Sequence, residues 1–161
     1  MTAALRPIEP RDHAAVLALN ADHVEVLAPM DEARLHELLG MADRADIVDA
    51  DGIVAGFVLT FGPGTAYDSA NYRAFTDRYG DEFYYLDRIA IATAHQRRGL
   101  ASLVYDEIER TAAPYARLAL EVNAVPPNAG SLAFHAARGF LEVGVLGDDT
   151  KAVSLMVKEL G

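Results

Sequence analysis

Apolar residues recur every second position in some stretches of this chain and every third or fourth in others, and the switches between the two periods predict its elements. Leu5-Arg6-Pro7-Ile8 predicts a short edge strand, where a proline is tolerated. Asp12 precedes a helical run with Val16, Leu17 and Leu19, then Val24 and Leu27, and can cap its start before Pro29 interrupts it. A second helix starts at Asp31, with Leu35, Leu38, Leu39 and Ala42 at helical spacing. Asp46–Ala50 and Ile53–Phe61 flank Asp51-Gly52, a two-residue turn that joins antiparallel strands. Gly62-Pro63-Gly64 ends the second strand. The polar and aromatic segment Thr65 to Gly80, with Tyr67, Tyr72, Phe75 and Tyr79, has the length of a functional lid or loop, part of it helical.

Phe83–Ala92 predicts a central strand, Arg98–Ala112 a long helix stopped by Pro114, and Arg117–Asn123 a further strand. Ala129–Arg138 predicts a helix closed by Gly139, and Phe140–Leu146 and Ala152–Leu160 two last strands around Gly147-Asp148-Asp149. The order predicts an α+β fold, a central mixed β-sheet flanked by helices, with one parallel crossover over Phe83–Asn123. With 161 residues and no repeat, linker or low-complexity tract, a single domain over 1–161 is expected.

Composition narrows the function. Hydrophobic residues make up 52% and charged residues 24%, an ordinary globular balance. The start has no apolar core of signal-peptide length and no run approaches the roughly 20 residues of a spanning helix, so a cytoplasmic protein without a membrane partner is expected. The net charge of −10 argues against nucleic acid and would favour the approach of a cationic amine. Cysteine is absent, which excludes disulfides, thiolate metal sites and an acyl-cysteine intermediate. His13, His23, His36, His95 and His135 form no ligand motif, so no metal is expected, and no Gly-x-Ser-x-Gly elbow supports a serine hydrolase.

The candidate chemistry begins at His95-Gln96-Arg97-Arg98-Gly99-Leu100-Ala101, which joins the central strand to the long helix. The first N–H groups of a helix lack intrahelical partners and the helix dipole is positive there, so a tight turn at this corner can hold a phosphate. Neither the dinucleotide fingerprint nor the nucleoside triphosphate loop occurs. Gln96-x-x-Gly99-x-Ala101 instead resembles the Gln/Arg-x-x-Gly-x-Gly/Ala pattern of the GNAT (GCN5-related) superfamily of N-acetyltransferases. Asn128-Ala129-Gly130-Ser131 to Phe134-His135 and Gly139-Phe140 is similar to a second segment of that family, and the order of elements is similar over essentially the whole chain.

The resemblance implies the GNAT-like acyl-CoA N-acyltransferase fold and acetyl-coenzyme A as acyl donor. It implies that backbone N–H groups from Arg97, Arg98, Gly99, Leu100 and Ala101 surround the pyrophosphate, and that strand backbone at Ile89, Ala90 and Ile91 pairs with the pantetheine amides. Arg97 and Arg98 either add charge at the phosphates or are solvated. Asn128 and Ser131 are expected either to touch the cofactor or to cap their helix. Family members are frequently dimers, so a homodimer is one expected assembly.

Alternation places Glu121 and Asn123 on one face of their strand, Tyr85 and Asp87 on one face of the central strand, and Tyr84 and Arg88 on the other. A carboxylate on a central strand needs a partner or a task. Leu120-Glu121-Val122 resembles the strand of GNAT enzymes that acetylate amino termini, whose glutamate is a general base; pairing with an arginine is the alternative. Asp87 is a second candidate for the acceptor ammonium, with Arg88 pairing to Asp87, Glu82 or Glu121. His135 stands where the family most often has a tyrosine acid for the thiolate; it is a catalytic candidate or a hydrogen-bonded helix residue, and Tyr84, Tyr85 or Tyr105 could take the acid role. Tyr67, Tyr72 and Tyr79 either line the acceptor opening or lie on a surface loop. The expected activity is direct acetyl transfer to a primary amine of a small molecule or peptide; a non-catalytic acyl-coenzyme A sensor is the alternative.

Overall fold

The computed structural model describes residues 1–161. Seven strands, β1 (Ala3–Pro7), β2 (Arg44–Ala50), β3 (Ile53–Phe61), β4 (Tyr84–Ile91), β5 (Arg117–Val125), β6 (Leu141–Gly147) and β7 (Ala152–Glu159), form one mixed sheet in the order β1-β2-β3-β4-β5-β7-β6. Five helices accompany them: α1 (His13–Asp22), α2 (Glu32–Met41), α3 (Ala70–Tyr79), α4 (Leu100–Ala112) and α5 (Ala129–Ala137). The expected α+β class and mixed sheet are observed, with β4 and β5 parallel. The chain divides into two compact units, Met1–Phe61 with Leu86–Arg110, and Gly62–Tyr85 with Thr111–Gly161.

In the first unit β1, β2 and β3 form an antiparallel meander. Asp51 (φ 54°) and Gly52 (φ 82°) are both left-handed, the conformation that a two-residue hairpin turn requires. β3 is buried from Ala55 to Phe61, which explains its unbroken apolar run. Gly56 lets β4 come close: a Cβ there would lie 2.4 Å from the Ala90 carbonyl oxygen. Leu100, Val104, Tyr105 and Ile108 give α4 its buried stripe. Arg44 donates to Asp46 at 2.8 Å and to Glu107 at 3.0 Å, tying β2 to α4. Helix α1 stops at Asp22, short of the predicted Val24 and Leu27, because the His23 imidazole turns back to the Leu19 carbonyl at 2.8 Å. Arg6 grips both oxygens of buried Asp12, at 2.8 and 2.9 Å, and that hydrogen bonding holds the Asp12 carboxyl down at about 2.

In the second unit β5 pairs antiparallel with β7 and β7 with the edge strand β6. The Thr65–Gly80 segment contains α3, capped by Ser69, whose hydroxyl accepts the Tyr72 N–H at 3.2 Å, and ended by Gly80 at φ 63°. Tyr67, Tyr72, Phe75, Phe83 and Tyr85 form an aromatic core, each at most 5% exposed. Tyr67 and Tyr72 are therefore core residues, which corrects the surface-loop expectation for both. Rings spaced at 72 and 75 face one side of a helix and bury large apolar areas there.

Candidate active site

The corner between β4 and α4 lies in the first unit. Gln96 turns its side chain back, donating from Nε2 to the carbonyl of Ile91, the last residue of β4, at 3.2 Å. Arg97 (φ 62°) and Gly99 (φ 77°) are left-handed, and nothing stands within 4 Å of where a Cβ on Gly99 would be. The Leu103 N–H reaches the Gly99 carbonyl at 3.1 Å and opens the helical ladder, so the N–H groups of Leu100, Ala101 and Ser102 precede it. Leu100 is buried and anchors the helix start, while Arg97 and Arg98 are exposed. Helix-start donors, an open glycine and two solvent-facing guanidiniums fit a diphosphate. On β4, Ala90 is buried and Ile89 and Ile91 are half-buried.

Asp87 and Arg88 form a buried ion pair in the same unit. Arg88 Nε donates to Asp87 Oδ2 at 2.7 Å, and both side chains are 5% exposed. Arg88 Nη1 also donates to Asn20 Oδ1 at 3.0 Å and to the Ala28 carbonyl at 3.2 Å. Asn20 in turn donates to the same carbonyl at 3.0 Å. Of the three acids considered for Arg88, Asp87 takes this bond, and the guanidinium clasps the segment after α1 to β4.

Tyr85 and Glu121 meet in the second unit. Tyr85 stands in register with Ala119 on the parallel strand β5, and Glu121, two residues on, shares that face. The tyrosine reaches across the diagonal, and its hydroxyl donates to Glu121 Oε2 at 2.6 Å. Tyr85 is fully buried while Glu121 is half-buried. A phenol is thus one partner of the carboxylate for which the sequence offers a catalytic task or an arginine.

Helix α5 carries the other candidates of this unit. Asn128 is its N-cap, accepting the Ser131 N–H at 3.2 Å. His135 is buried, with Nδ1 2.7 Å from the Ser131 carbonyl, so Nδ1 bears the proton and donates it there. The Ser131 hydroxyl lies 3.3 Å from the same nitrogen. Burial pushes the imidazole below its ordinary value and the Arg138 charge adds to this, against the Ser131 carbonyl, which favours the cation. The rings of Phe134 and Phe140 stand edge-on to it, 5.3 and 5.2 Å away between centroids.

Asn20, to which the sequence assigns no role, and Tyr72, which it offers only for an acceptor opening or a surface loop, both take part in these arrangements. Asn20 is a polar residue beside the buried positions Val16 and Leu19 of α1, a placement that calls for a buried partner. Tyr72 donates to the Gly62 carbonyl at 2.8 Å and accepts the Thr65 N–H at 3.1 Å, a role that its position among loop-like residues concealed. No group of three or more histidine, aspartate and glutamate side chains is placed to hold a metal ion. No helix is long and apolar enough to cross a membrane.

Comparison with known proteins places these features in context. The family model described as the acetyltransferase (GNAT) family matches residues 14–140. Comparison with curated proteins gives no match. Among solved structures, the chain is similar to Ard1 from Thermoplasma volcanium, with a TM-score of 0.79 at 16% identity over 100% of this chain and 99% of that one. It is similar to Arabidopsis thaliana NAA60 in complex with acetyl-CoA, with a TM-score of 0.74 at 18% identity over 98% and 99%. The ribosomal-protein-S18-alanine N-acetyltransferase from Escherichia coli gives 0.69 at 20% identity over 99% and 95%. At such identities the likeness is one of fold.

Proposed function

Because the chain belongs to the GNAT acetyltransferase family, whose acetyl donor is acetyl-coenzyme A, we propose that it transfers acetyl directly to the primary amine of a small molecule or peptide, with residues 1–161 acting as one domain. The observation that supports amine chemistry is the Tyr85 hydroxyl on the Glu121 carboxylate at 2.6 Å. A primary amine is protonated at neutral pH and cannot attack until it gives up that proton. Glu121 is the base that receives it, directly or through one water, and Tyr85 holds the carboxylate in place. The donor, when bound, would supply an acetyl group activated as a thioester. As the bond from the amine nitrogen to the acetyl carbon forms, the carbon–sulfur bond breaks, and the departing thiolate takes its proton from a tyrosine or from water. The helix-start N–H groups from Gly99 to Ser102, with Arg97 and Arg98, hold its diphosphate, and the backbone of Ile89, Ala90 and Ile91 holds its pantetheine amides, with Ile91 polarising the carbonyl.

Asp87, locked to Arg88, and His135, neutral and committed to Ser131, act as positioning groups. Asn128 and Ser131 serve the donor through the helix start they fix. The protein works in the cytoplasm, and a homodimer is its proposed assembly.

Calorimetry with acetyl-coenzyme A, with NAD and acetate as controls, and coenzyme A release over an amine panel test the proposal together. Selective binding with turnover is expected, and Glu121→Gln should lower kcat by about 100-fold or more while the donor affinity stays within about threefold. Binding without turnover on any amine would leave a non-catalytic acyl-coenzyme A sensor; absence of binding by folded protein would remove the donor assignment as well.

A further inference from the structure

Residues 62–83 depart from the sheet after β3 and return at β4, and they are fastened at several points within the second unit. At the entry, the Tyr72 hydroxyl donates to the Gly62 carbonyl at 2.8 Å and accepts the Thr65 N–H at 3.1 Å. At the exit, the Arg117 guanidinium lies 4.1 Å from the centre of the Tyr79 ring and donates to the Glu82 carbonyl. Arg78 donates to the Val143 carbonyl of β6 at 2.7 Å. Fastened this way, the segment that the sequence offers as a functional lid or loop, part of it helical, forms a wall of the second unit.

The inner face of that wall surrounds one catalytic candidate. Tyr85 has the Tyr72 ring edge-on at 5.5 Å, Phe75 at 5.9 Å and Tyr67 at 6.4 Å between centroids. A fully buried phenol can swing its hydroxyl only as far as the neighbouring rings permit. Tyr72 is the neighbour best fixed itself, since its hydroxyl is pinned to backbone on both its donor and its acceptor side.

We propose that Tyr72 is a positioning residue for acetyl transfer: its ring holds the Tyr85 side chain so that the Tyr85 hydroxyl stays on Glu121. The inference rests on Glu121 being the base. The ring does this work, and the hydroxyl fixes the ring and the Gly62–Thr65 turn. Tyr72→Phe keeps the ring but loses its two ties and should therefore impair function less than Tyr72→Leu and the unbranched Tyr72→Met, which remove the ring.

The test labels the seven tyrosines with carbon-13 at the ring carbon bearing the hydroxyl and assigns Tyr85 by Tyr85→Phe. Donation to a carboxylate displaces that resonance, so Glu121→Gln should return it toward the position of the other tyrosines. Tyr72→Leu and Tyr72→Met should undo at least half of that displacement, and Tyr72→Phe should undo less of it than either. In turnover, the first two should lower kcat about tenfold with the acetyl-coenzyme A KM unchanged within about twofold. If Tyr72→Leu and Tyr72→Met both fold and leave the Tyr85 resonance at its wild-type position, the role of Tyr72 is overturned while the assignment of Glu121 stands. If Glu121→Gln leaves the resonance unmoved, the Tyr85–Glu121 bond is refuted and both fall together.

Discussion

Asp87 and Glu121 are the two strand carboxylates that alternation offers as proton acceptors, and their surroundings separate them. Asp87 lies 2.7 Å from a guanidinium as deeply buried as itself, and that guanidinium also holds Asn20 and the Ala28 carbonyl. Protonating Asp87 would break an ion pair away from water, where the remaining charge is expensive to leave. Glu121 instead receives the hydroxyl of Tyr85, a group that donates to a carboxylate and can accept from a carboxylic acid. A phenol partner thus adapts when the carboxylate takes a proton, whereas a guanidinium resists. One residue class on comparable strands therefore yields a structural lock in one unit and the proposed base in the other.

The contrast is most easily broken at Arg88. Arg88→Met removes the charge from beside a carboxylate that is 5% exposed and takes a donor from Asn20 and the Ala28 carbonyl. Urea unfolding should show a loss of about 3–5 kcal/mol. Glu121→Gln keeps shape and one acceptor oxygen for Tyr85, so the same experiment should find its stability within about 1 kcal/mol of wild type even though turnover collapses. If the two variants exchange these phenotypes, the assignment of lock and base is reversed.

The Arg6–Asp12 pair sharpens the comparison, being a second guanidinium lock nearer the surface of the first unit. Asp12 is held at about 2 against an ordinary 3.8, so its folded form binds protons less readily than the unfolded chain. The stabilisation is complete above pH 3.8 and disappears as the pH falls toward 2. Its size is about 2 kcal/mol, smaller than at Arg88, and Asp12→Asn should flatten the stability profile across that window when unfolding is followed from pH 5 to 2.

How far these arrangements could be read from the chain depends on how local their causes are. The Asp51-Gly52 hairpin and the Gln96–Ala101 corner are legible because a few adjacent residues dictate the backbone. Helix α4 is legible because Leu100, Val104 and Ile108 repeat at its period. Helix α3 is harder, since its buried face consists of tyrosine and phenylalanine following a Gly-Pro-Gly break, a composition shared with exposed loops. Alternation places Tyr85 and Glu121 on definite faces but says nothing of strand register. Their meeting across 36 residues follows from Tyr85 standing opposite Ala119. The clasp of Arg88 on Asn20 spans 68 residues and depends on where α1 ends.

Asn128 gives the smallest effect and the finest distinction, between a residue that touches the donor and one that shapes the backbone. Its side chain accepts the Ser131 N–H, and Ser131 in turn offers its carbonyl to His135, so the cap and the histidine anchor the same first turns of α5. Serine and aspartate cap nearly as well as asparagine, whereas alanine loses about 1 kcal/mol. Asn128→Ala should therefore lower stability by about that amount and Asn128→Ser should not, with acetyl-coenzyme A affinity following stability rather than the loss of the amide. Should both variants weaken donor binding equally while only alanine destabilises the fold, the amide itself contacts the donor, and Asn128 belongs with Gly99 and Ile91 among the groups proposed to hold it.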